Sequence, residues 1–409
     1  MSPKFGINNL AEIYNQKEGS TTNKYCSMFS QLLQLFPRWE FQKLVTETSS
    51  ERHARGFSSW TQFVSMLFCQ LGRAHSLREI SGGLRSCEGK LTHLGIRAPS
   101  HSTLAYANEH RSWELYQKIF LELLERCQTS ITLDKRKFRF KNKLISMDST
   151  IIDLCLSVFD WARFRRAKGA LKIHLLLDHD GYLPSFAVIT EGKTSDLKVA
   201  KQFQFDPNTI VVDDRGYVDY GLYSQWTSQG VYFVTRLKRN AMYEVVHQNP
   251  ISYRSHVIKD ETIQLKGIKS PQTCAYYLRR IEYWDEETDE VLVFLSNHLK
   301  LAANTIAAIY KERWQIEIFF KALKQNLKIK TFVGTSPNAV KIQIWTALIA
   351  MLILRYLQLR SKFKWSLSNL VALLRMNLFT HKDLWAWLET PFLEIEEPAQ
   401  PQQLELNLN

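Results

Sequence analysis

The sequence predicts an α/β protein in which an all-α region precedes a mixed β-sheet. Apolar residues at helical spacing, such as Phe29, Leu32, Leu33 and Phe36, recur through residues from about 25 to 130. Short β-type runs follow, and the helical pattern returns from Thr305 onward. With 45% apolar and 12% aromatic residues, the 409-residue chain can bury a large core in two or three domains.

Within the helical region, residues 76–111 have the outline of a helix-turn-helix. A short helix is predicted over 76–86, a turn-rich stretch follows, and a second helix leads to Arg111. The second helix would face a DNA groove, and basic side chains would contact phosphates. Because the turn is longer than three residues, a plain helical bundle with a solvated basic face remains an open alternative. The residues predicted to contact DNA here are Arg78, Arg85 and Arg111.

The β-type runs begin after a basic, Phe-containing stretch over 134–143. Helices are predicted over 195–204 and 220–228, between the later strands. Three consecutive strands followed by alternating strands and helices indicate a mixed sheet of the ribonuclease H type. The predicted strands occupy residues 144–147, 171–177, 183–189 and 209–212.

These patterns divide the chain into five predicted parts. A β-rich insertion is expected where strands are broken by polar turns, and a flexible tail where Glu, Pro and Gln dominate. The parts are a helical DNA-binding domain (1–134), the first part of the sheet core (135–237), the insertion (238–293), the second part of the core with C-terminal helices (294–385), and the tail (386–409).

The charge balance predicts a polyanionic partner. The chain carries 53 basic and 40 acidic residues, a net charge of +13. No signal peptide is evident, and the longest apolar run, over 344–354, is too short to span a bilayer, so no membrane partner is expected. Six cysteines without a CxxC pair predict neither disulfides nor a zinc site. The expected location is bacterial cytoplasm, in association with the nucleoid.

Two aspartates are candidates for catalysis. Asp148 follows the predicted strand over 144–147, and Asp214 follows the strand over 209–212 within TIVVDDRGY. Carboxylates at the ends of neighbouring strands can hold a metal ion between them. Because side chains alternate along a strand, only one of Asp213 and Asp214 can face such an ion.

A third carboxylate lies in the segment YKERWQIEIFFKALK. At about 100° per residue, a single helix would place Tyr310, Arg313, Glu317 and Lys324 on one face, beside an apolar stripe. Three carboxylates suit two Mg²⁺ ions, with Mn²⁺ as a substitute, and Arg313 and Lys324 could neutralise phosphate. The same spacing also fits a surface ladder of ion pairs that includes Lys321.

These motifs resemble those of the DDE insertion-sequence transposases of the IS-four family. The helix matches the signature Y-x2-R-x3-E-x6-K, while MDST and VVDDRGY look like the two Asp motifs. The resemblance covers most of the chain and implies a ribonuclease H-like core. It also favours Asp214 over Asp213, since the family's carboxylate directly precedes Arg-Gly-Tyr. The implied catalytic metal ligands are Asp148, Asp214 and Glu317, and the implied contacts to transposon-end DNA are Tyr310, Arg313 and Lys324.

The resemblance implies cleavage at terminal inverted repeats and joining to target DNA, by a homodimer that pairs two ends of double-stranded DNA. Two alternatives stay open: a metal-dependent endonuclease without strand transfer, and a catalytically inactive DNA-binding regulator. Lys168 and Arg215 are further predicted DNA contacts, although a solvated hairpin edge also explains the basic stretch around Lys168. For His174 a hydrogen-bonded structural role is favoured, for Trp284 a place in the core, and for Asp196 a turn or helix cap.

Overall fold

The structure is a computed structural model that describes residues 26–392, except 53, 131–136, 155–158, 160, 162, 166–167, 253–254, 267–273 and 330. Most of the predicted tail, from residue 393, lies outside the described residues. Helices precede, flank and follow a large mixed sheet, which confirms the predicted α/β class.

The described part of the chain starts with helices, and serine side chains cap several of them. Ser58, Ser76 and Ser100 each accept a hydrogen bond from a backbone N–H two or three residues into the following helix. Helix α4 packs against α6, and the turn-rich stretch between them contains α5 and a 3-10 turn over Thr92–Leu94. These helices are α1 (Met28–Leu33), α2 (Arg38–Glu47), α3 (Ser59–Leu71), α4 (Leu77–Ser86), α5 (Glu88–Leu91), α6 (His101–His110) and α7 (Glu114–Ser130).

Within the part of the chain that the structure describes, ten strands form one sheet in the order β2-β3-β1-β5-β6-β10-β9-β8-β7, and β4 also pairs with β3. Strand β5 runs parallel to both β1 and β6, whereas all other pairs are antiparallel. The strands are β1 (Leu144–Leu154), β2 (Arg163–Arg165), β3 (Lys168–Asp178), β4 (Leu183–Glu191), β5 (Ile210–Val212), β6 (Tyr232–Arg236), β7 (Tyr243–Gln248), β8 (Val257–Leu265), β9 (Leu278–Asp285) and β10 (Glu290–Ser296).

Two features of the sheet differ from the sequence pattern. Asp148 does not end a strand, because β1 continues to Leu154 through its pairing with β3. The sequence prediction ends the strand where its apolar run ends. That rule cannot distinguish a polar residue inside a strand from one that follows the strand. The β-rich segment over 238–293 is also continuous with the sheet, since β10 pairs with β6.

Helices α8 (Asp196–Ala200) and α9 (Tyr220–Ser228) cover one face of the sheet, and α10 (Ala303–Glu312) covers the other. The predicted helix over 220–228 agrees with α9, while α8 is shorter than the predicted 195–204. The remaining helices are α11 (Trp314–Asn326), α12 (Pro337–Arg360), α13 (Leu367–Asn377) and α14 (Leu384–Glu389).

Helix α12 joins the two ends of the chain in one core. It packs against α3, α6 and α7 from the N-terminal region and against α13 from the C-terminal region. By length and composition it could span a membrane, yet 83% of its most apolar window is buried inside the protein. A helix that is apolar on all sides is expected to be buried, and α12 is surrounded by other helices.

Candidate active site

The pairing of β1 with β5 brings two aspartates to the same place. The parallel register joins Leu144 to Ile210 and Ser146 to Val212. Continued by two residues, this register sets Asp148 opposite Asp214. Because side chains alternate, both aspartates share the face of Leu144 and Val212, which is the face that packs against α10.

Asp213 lies on the opposite face and is fully buried. The Tyr223 hydroxyl donates to its two carboxylate oxygens at 2.9 and 3.1 Å. Burial raises the pKa of the Asp213 carboxyl to about 8, although the Thr235 and Tyr223 hydroxyls oppose this rise. Asp213 therefore stabilises the packing of α9 on the sheet, and of the two adjacent aspartates only Asp214 lies on the face with Asp148.

Asp214 is held by the turn that follows it. Its Oδ1 accepts a hydrogen bond from the Gly216 backbone N–H at 2.7 Å, closing a 3-10 turn over Arg215–Tyr217. A Cβ atom on residue 216 would lie 2.9 Å from the same Oδ1. The glycine of the Asp-Arg-Gly-Tyr sequence thus allows the carboxylate to approach the backbone.

Glu317 and Arg313 reach the site from the α10–α11 junction. The sequence predicts one continuous helix here, which is wrong: α10 ends at Glu312 and α11 begins at Trp314. The Arg313 N–H donates to the Tyr310 carbonyl, a bond across three residues that tightens the chain locally. Arg313 keeps helical backbone angles (φ −51°, ψ −32°), so the break is a local tightening, which residue spacing alone does not reveal.

Arg313 links two of the three predicted catalytic carboxylates. Its guanidinium lies 2.6 Å from Glu317 Oε1 and 3.4 Å from Asp148 Oδ2. It also lies over the Tyr310 ring, 5.8 Å from the centroid. The i, i+4 pair expected of a surface ladder is present, but Arg313 is only 13% exposed and reaches across to β1. A surface ladder alone therefore does not describe the arrangement.

Lys324 completes the row that the spacing predicts. Its ammonium donates to the Ile151 carbonyl of β1 at 3.0 Å. Lys324 and Glu317 line one wall of an open groove of about 460 Å³, and Asp148, Ser149 and Thr150 line the other. The structure therefore brings Tyr310, Arg313, Glu317 and Lys324 together along one side of Asp148.

Burial has the strongest influence on the Asp148 carboxyl in this groove. It raises the pKa of Asp148, to about 6, and the charges on Asp214 and Glu317 contribute smaller increases to that value. The Ser149 backbone N–H and the Arg313 guanidinium act in the opposite direction. Additional positive charge would therefore favour the ionised form of Asp148.

The chemistry of the three carboxylates suits a divalent cation. Carboxylate oxygens are the ligands that hard cations such as Mg²⁺ take. Within the described residues, no three His, Cys, Asp or Glu side chains are gathered closely enough to enclose an ion. Arg313 instead supplies the positive charge between Asp148 and Glu317. The three carboxylates are therefore suitable ligands for a metal ion. In the described structure the Arg313 guanidinium pairs with two of them, Asp148 and Glu317.

Three of the other predicted DNA contacts, Arg78, Arg85 and Arg111, lie in the N-terminal helices, apart from this groove. Arg78 and Arg85 are exposed on one side of α4. The half-buried Arg111 donates to the Phe57 carbonyl and to Gln62 Oε1, so it supports the helical packing. The side chain of Lys168 lies outside the described residues.

Arg215 lines a second open groove, of about 380 Å³, that sequence reasoning missed. Its basic residues come from separate strands and the loops next to them, so no local motif signals it. The cationic residues of this groove are Arg215, Arg236, Lys238, Arg239 and Arg280.

Two polar clusters beside the site were also missed. Glu312 is 3% exposed, pairs with Lys137 and accepts a hydrogen bond from the Tyr182 hydroxyl at 2.8 Å. Asp196 contacts side chains of β1 and β3. Each cluster joins elements that are far apart in the sequence, so no local motif indicates it.

The chain is similar to known proteins over most of its length. Residues 139–353 match the family described as Transposase DDE domain, and residues 25–97 match a domain of unknown function. The chain is 30% identical over 298 residues to the transposase-named protein y4zB of Sinorhizobium fredii, covering 72% of this chain and 81% of that one. It is 27% identical to a transposase-named protein of insertion sequence element IS5377 from Geobacillus stearothermophilus (66% and 70% covered). It is also 27% identical to one of element IS4SA from Synechocystis (63% and 71% covered).

Proposed function

Because the chain belongs to the transposase DDE domain family and is a DNA transposase, we propose that Asp148, Asp214 and Glu317 are its catalytic carboxylates. They would cleave DNA at terminal inverted repeats and join the ends to target DNA. One observation carries the proposal: the β1–β5 register, continued by two residues, would set Asp148 opposite Asp214 on the face where Arg313 contacts both Asp148 and Glu317.

We propose a ribonuclease H-like core. The strand order β4-β3-β1-β5-β6, with β3 antiparallel to β1 and with β1, β5 and β6 parallel, supports this assignment, as do the helices on both faces. On this reading residues 238–293 are an insertion between the second aspartate and Glu317. The helical region over 1–134 would bind DNA, with 76–111 as its helix-turn-helix.

The three carboxylates would hold two Mg²⁺ ions, with Mn²⁺ as a substitute. Divalent ions supply charge neutralisation at the phosphate and activate the attacking water or 3′-hydroxyl in an in-line displacement. The raised pKa of Asp148 supports this role, since burial disfavours the ionised carboxylate and an added cation would stabilise it.

The chain's own cations would orient the phosphate. The planar guanidinium of Arg313 can hold two phosphate oxygens at once, and its contacts to Glu317 and Asp148 already place it beside the groove. Lys324 on the same wall adds a point charge, and Tyr310 supports Arg313 from the side. Together these groups would counter the charge that develops at the scissile phosphodiester.

Paired transposon ends would require a homodimer acting on double-stranded DNA. The exposed Arg78 and Arg85, together with the second groove around Arg215, are the proposed contacts to the DNA backbone. A basic protein of this kind would associate with the bacterial nucleoid.

A strand-transfer assay tests the proposal. Labelled terminal-repeat DNA, taken from the sequence flanking the gene, is incubated with a target plasmid and Mg²⁺. We expect the wild-type protein to cut and join, Glu317→Gln to do neither, and Glu125→Gln, which changes an exposed carboxylate of α7, to behave as wild type. Cutting without joining would identify a nuclease, and binding without cutting would identify a regulator. Either result would contradict the proposal.

A further inference from the structure

A polar network on the far side of β1 reaches the residue next to Asp148. The Ser149 hydroxyl donates to Asp196 Oδ1 at 2.6 Å. The Ser149 backbone N–H donates to Asp148 Oδ1 at 2.7 Å. One serine therefore connects two carboxylates on opposite faces of the sheet, with its side chain bound to Asp196 and its amide bound to Asp148.

Asp196 is itself held by side chains of β3. Lys172 Nζ lies 3.2 Å from Asp196 Oδ2, and the same ammonium donates to the Thr194 carbonyl at 3.0 Å. His174 Nδ1 lies 3.4 Å from Asp196 Oδ1, and its Nε2 lies 2.9 Å from the Thr190 hydroxyl. Lys172 and His174 are both buried, so these contacts fix the position of the carboxylate.

The turn that carries Asp214 meets the same network. Tyr217, from that turn, is buried, and the turn packs against α8, which begins at Asp196. Burial raises the pKa of Tyr217, and the charges on Asp148 and Asp196 raise it further. The turn that follows Asp214 and the strand that carries Asp148 therefore both contact the region around Asp196.

A cap for α8 is the simpler role for Asp196, and the contacts argue against it. Helix α8 has five residues, and no side chain caps its first turn. Both Asp196 oxygens are instead committed to β1 and β3, through Ser149 and Lys172. The carboxylate is therefore oriented toward the strand that carries Asp148.

We propose that Asp196 is a positioning residue that holds the Asp148 carboxylate through Ser149, in the orientation needed to bind a divalent cation. The inference rests on the proposed role of Asp148. Groups that orient a metal ligand in this way typically change metal affinity or activity about 10- to 100-fold when removed.

The test compares Asp196→Asn and Ser149→Ala with two controls. Asp178→Asn removes another buried aspartate of β3, whose partner Lys143 lies 3.3 Å away, and so reproduces the loss of an Asp–Lys pair without touching β1 near Asp148. Ser149→Thr keeps the hydroxyl. Mn²⁺ binding to the full chain without DNA is measured by titration, together with the Mg²⁺ concentration that gives half-maximal cleavage and the thermal unfolding midpoint.

We expect Asp196→Asn and Ser149→Ala to weaken Mn²⁺ binding and to raise the Mg²⁺ requirement about tenfold or more. Asp178→Asn should change only the unfolding midpoint, and Ser149→Thr should restore the wild-type metal requirement. If Asp196→Asn and Ser149→Ala match Asp178→Asn while Asp148→Asn is inactive, the positioning role is wrong and the proposed function stands. An active Asp148→Asn would overturn both.

Discussion

The neighbouring carboxylates Asp214 and Asp213 have opposite environments on the two faces of the sheet. On one face Asp214 is half-buried, fixed by a backbone N–H, and lies on the side of Asp148 and Arg313. On the other face Asp213 is fully buried beneath α9 and bound by Tyr223. A single step along the strand thus separates a carboxylate available for chemistry from one that stabilises the fold. The comparison predicts that substitutions on the first face affect DNA joining, and that those on the second affect folding.

A substitution at Arg313 should have a large effect on the first face. Replacing it with lysine keeps the charge but removes the planar group that contacts both Asp148 and Glu317. We expect the rate of strand transfer to fall by about a hundredfold or more. Lys311→Ala, which removes a cation of α10 that pairs with Asp285 away from the groove, is the matched control and should stay close to wild type. Equal rates for the two variants would remove Arg313 from the mechanism.

A substitution at Gly216 should have a smaller effect on catalysis at the same face. The added Cβ of Gly216→Ala would lie 2.9 Å from Asp214 Oδ1 and push the carboxylate away. Because small displacements of reacting groups slow catalysis, we expect about a tenfold loss of cleavage rate. Gly221→Ala is the control, since its Cβ would meet Asp219, which caps α9 and lies outside the groove. A loss of the same size in the control would point to general disturbance of this loop.

On the second face, where Asp213 is buried, Tyr223→Phe should lower the free energy of unfolding and leave the rate of strand transfer unchanged. The substitution removes the hydroxyl that donates to buried Asp213. A buried acceptor that loses its donor costs about 1–3 kcal/mol, measurable as the free energy of unfolding in urea. Tyr220→Phe, a half-buried tyrosine of the same helix, should cost less. A large loss of activity with normal stability would contradict the division between the two faces.

The smallest expected effect concerns pH. Burial lowers the pKa of His179 to about 4, below its value of about 6.5 in an unfolded chain. Between these values the unfolded chain binds more protons, so the free energy of unfolding falls as the pH falls from 6.5 to 4. His179→Gln should reduce this fall by an amount on the order of 1 kcal/mol, whereas the exposed His101→Gln should leave it unchanged. Unfolding curves at several pH values measure the difference.

Sequence patterns predicted those parts of the fold whose signal is local. Helix α9 and strands β3 to β5 follow apolar periodicity, with turn or capping residues at their ends. The break at Arg313 was not predictable, because the tightened turn keeps helical backbone angles. The continuation of β1 past Asp148 depends on pairing with β3, which is a tertiary interaction.

The residues of the site likewise include some that local sequence patterns predict and some that depend on tertiary contacts. Spacing and family resemblance together brought out Asp148, Asp214 and Glu317, because each lies in a short motif. For Asp196 the sequence predicts only a turn or helix cap. Its partners come from β1 and β3, and no spacing along the chain connects them to it. The side chains that support the site come from separate elements and become visible only in the folded chain.

The most direct test of the central claim compares Asp214→Asn with Asp213→Asn in the same strand-transfer assay. Both substitutions remove one carboxylate from adjacent positions and keep an oxygen that can accept a hydrogen bond. We expect Asp214→Asn to lose joining by about a thousandfold or more, since a metal ligand supplies several kcal/mol to the transition state. Asp213→Asn should join DNA at a rate close to wild type. Loss of joining in Asp213→Asn with an active Asp214→Asn would contradict the assignment of the catalytic face.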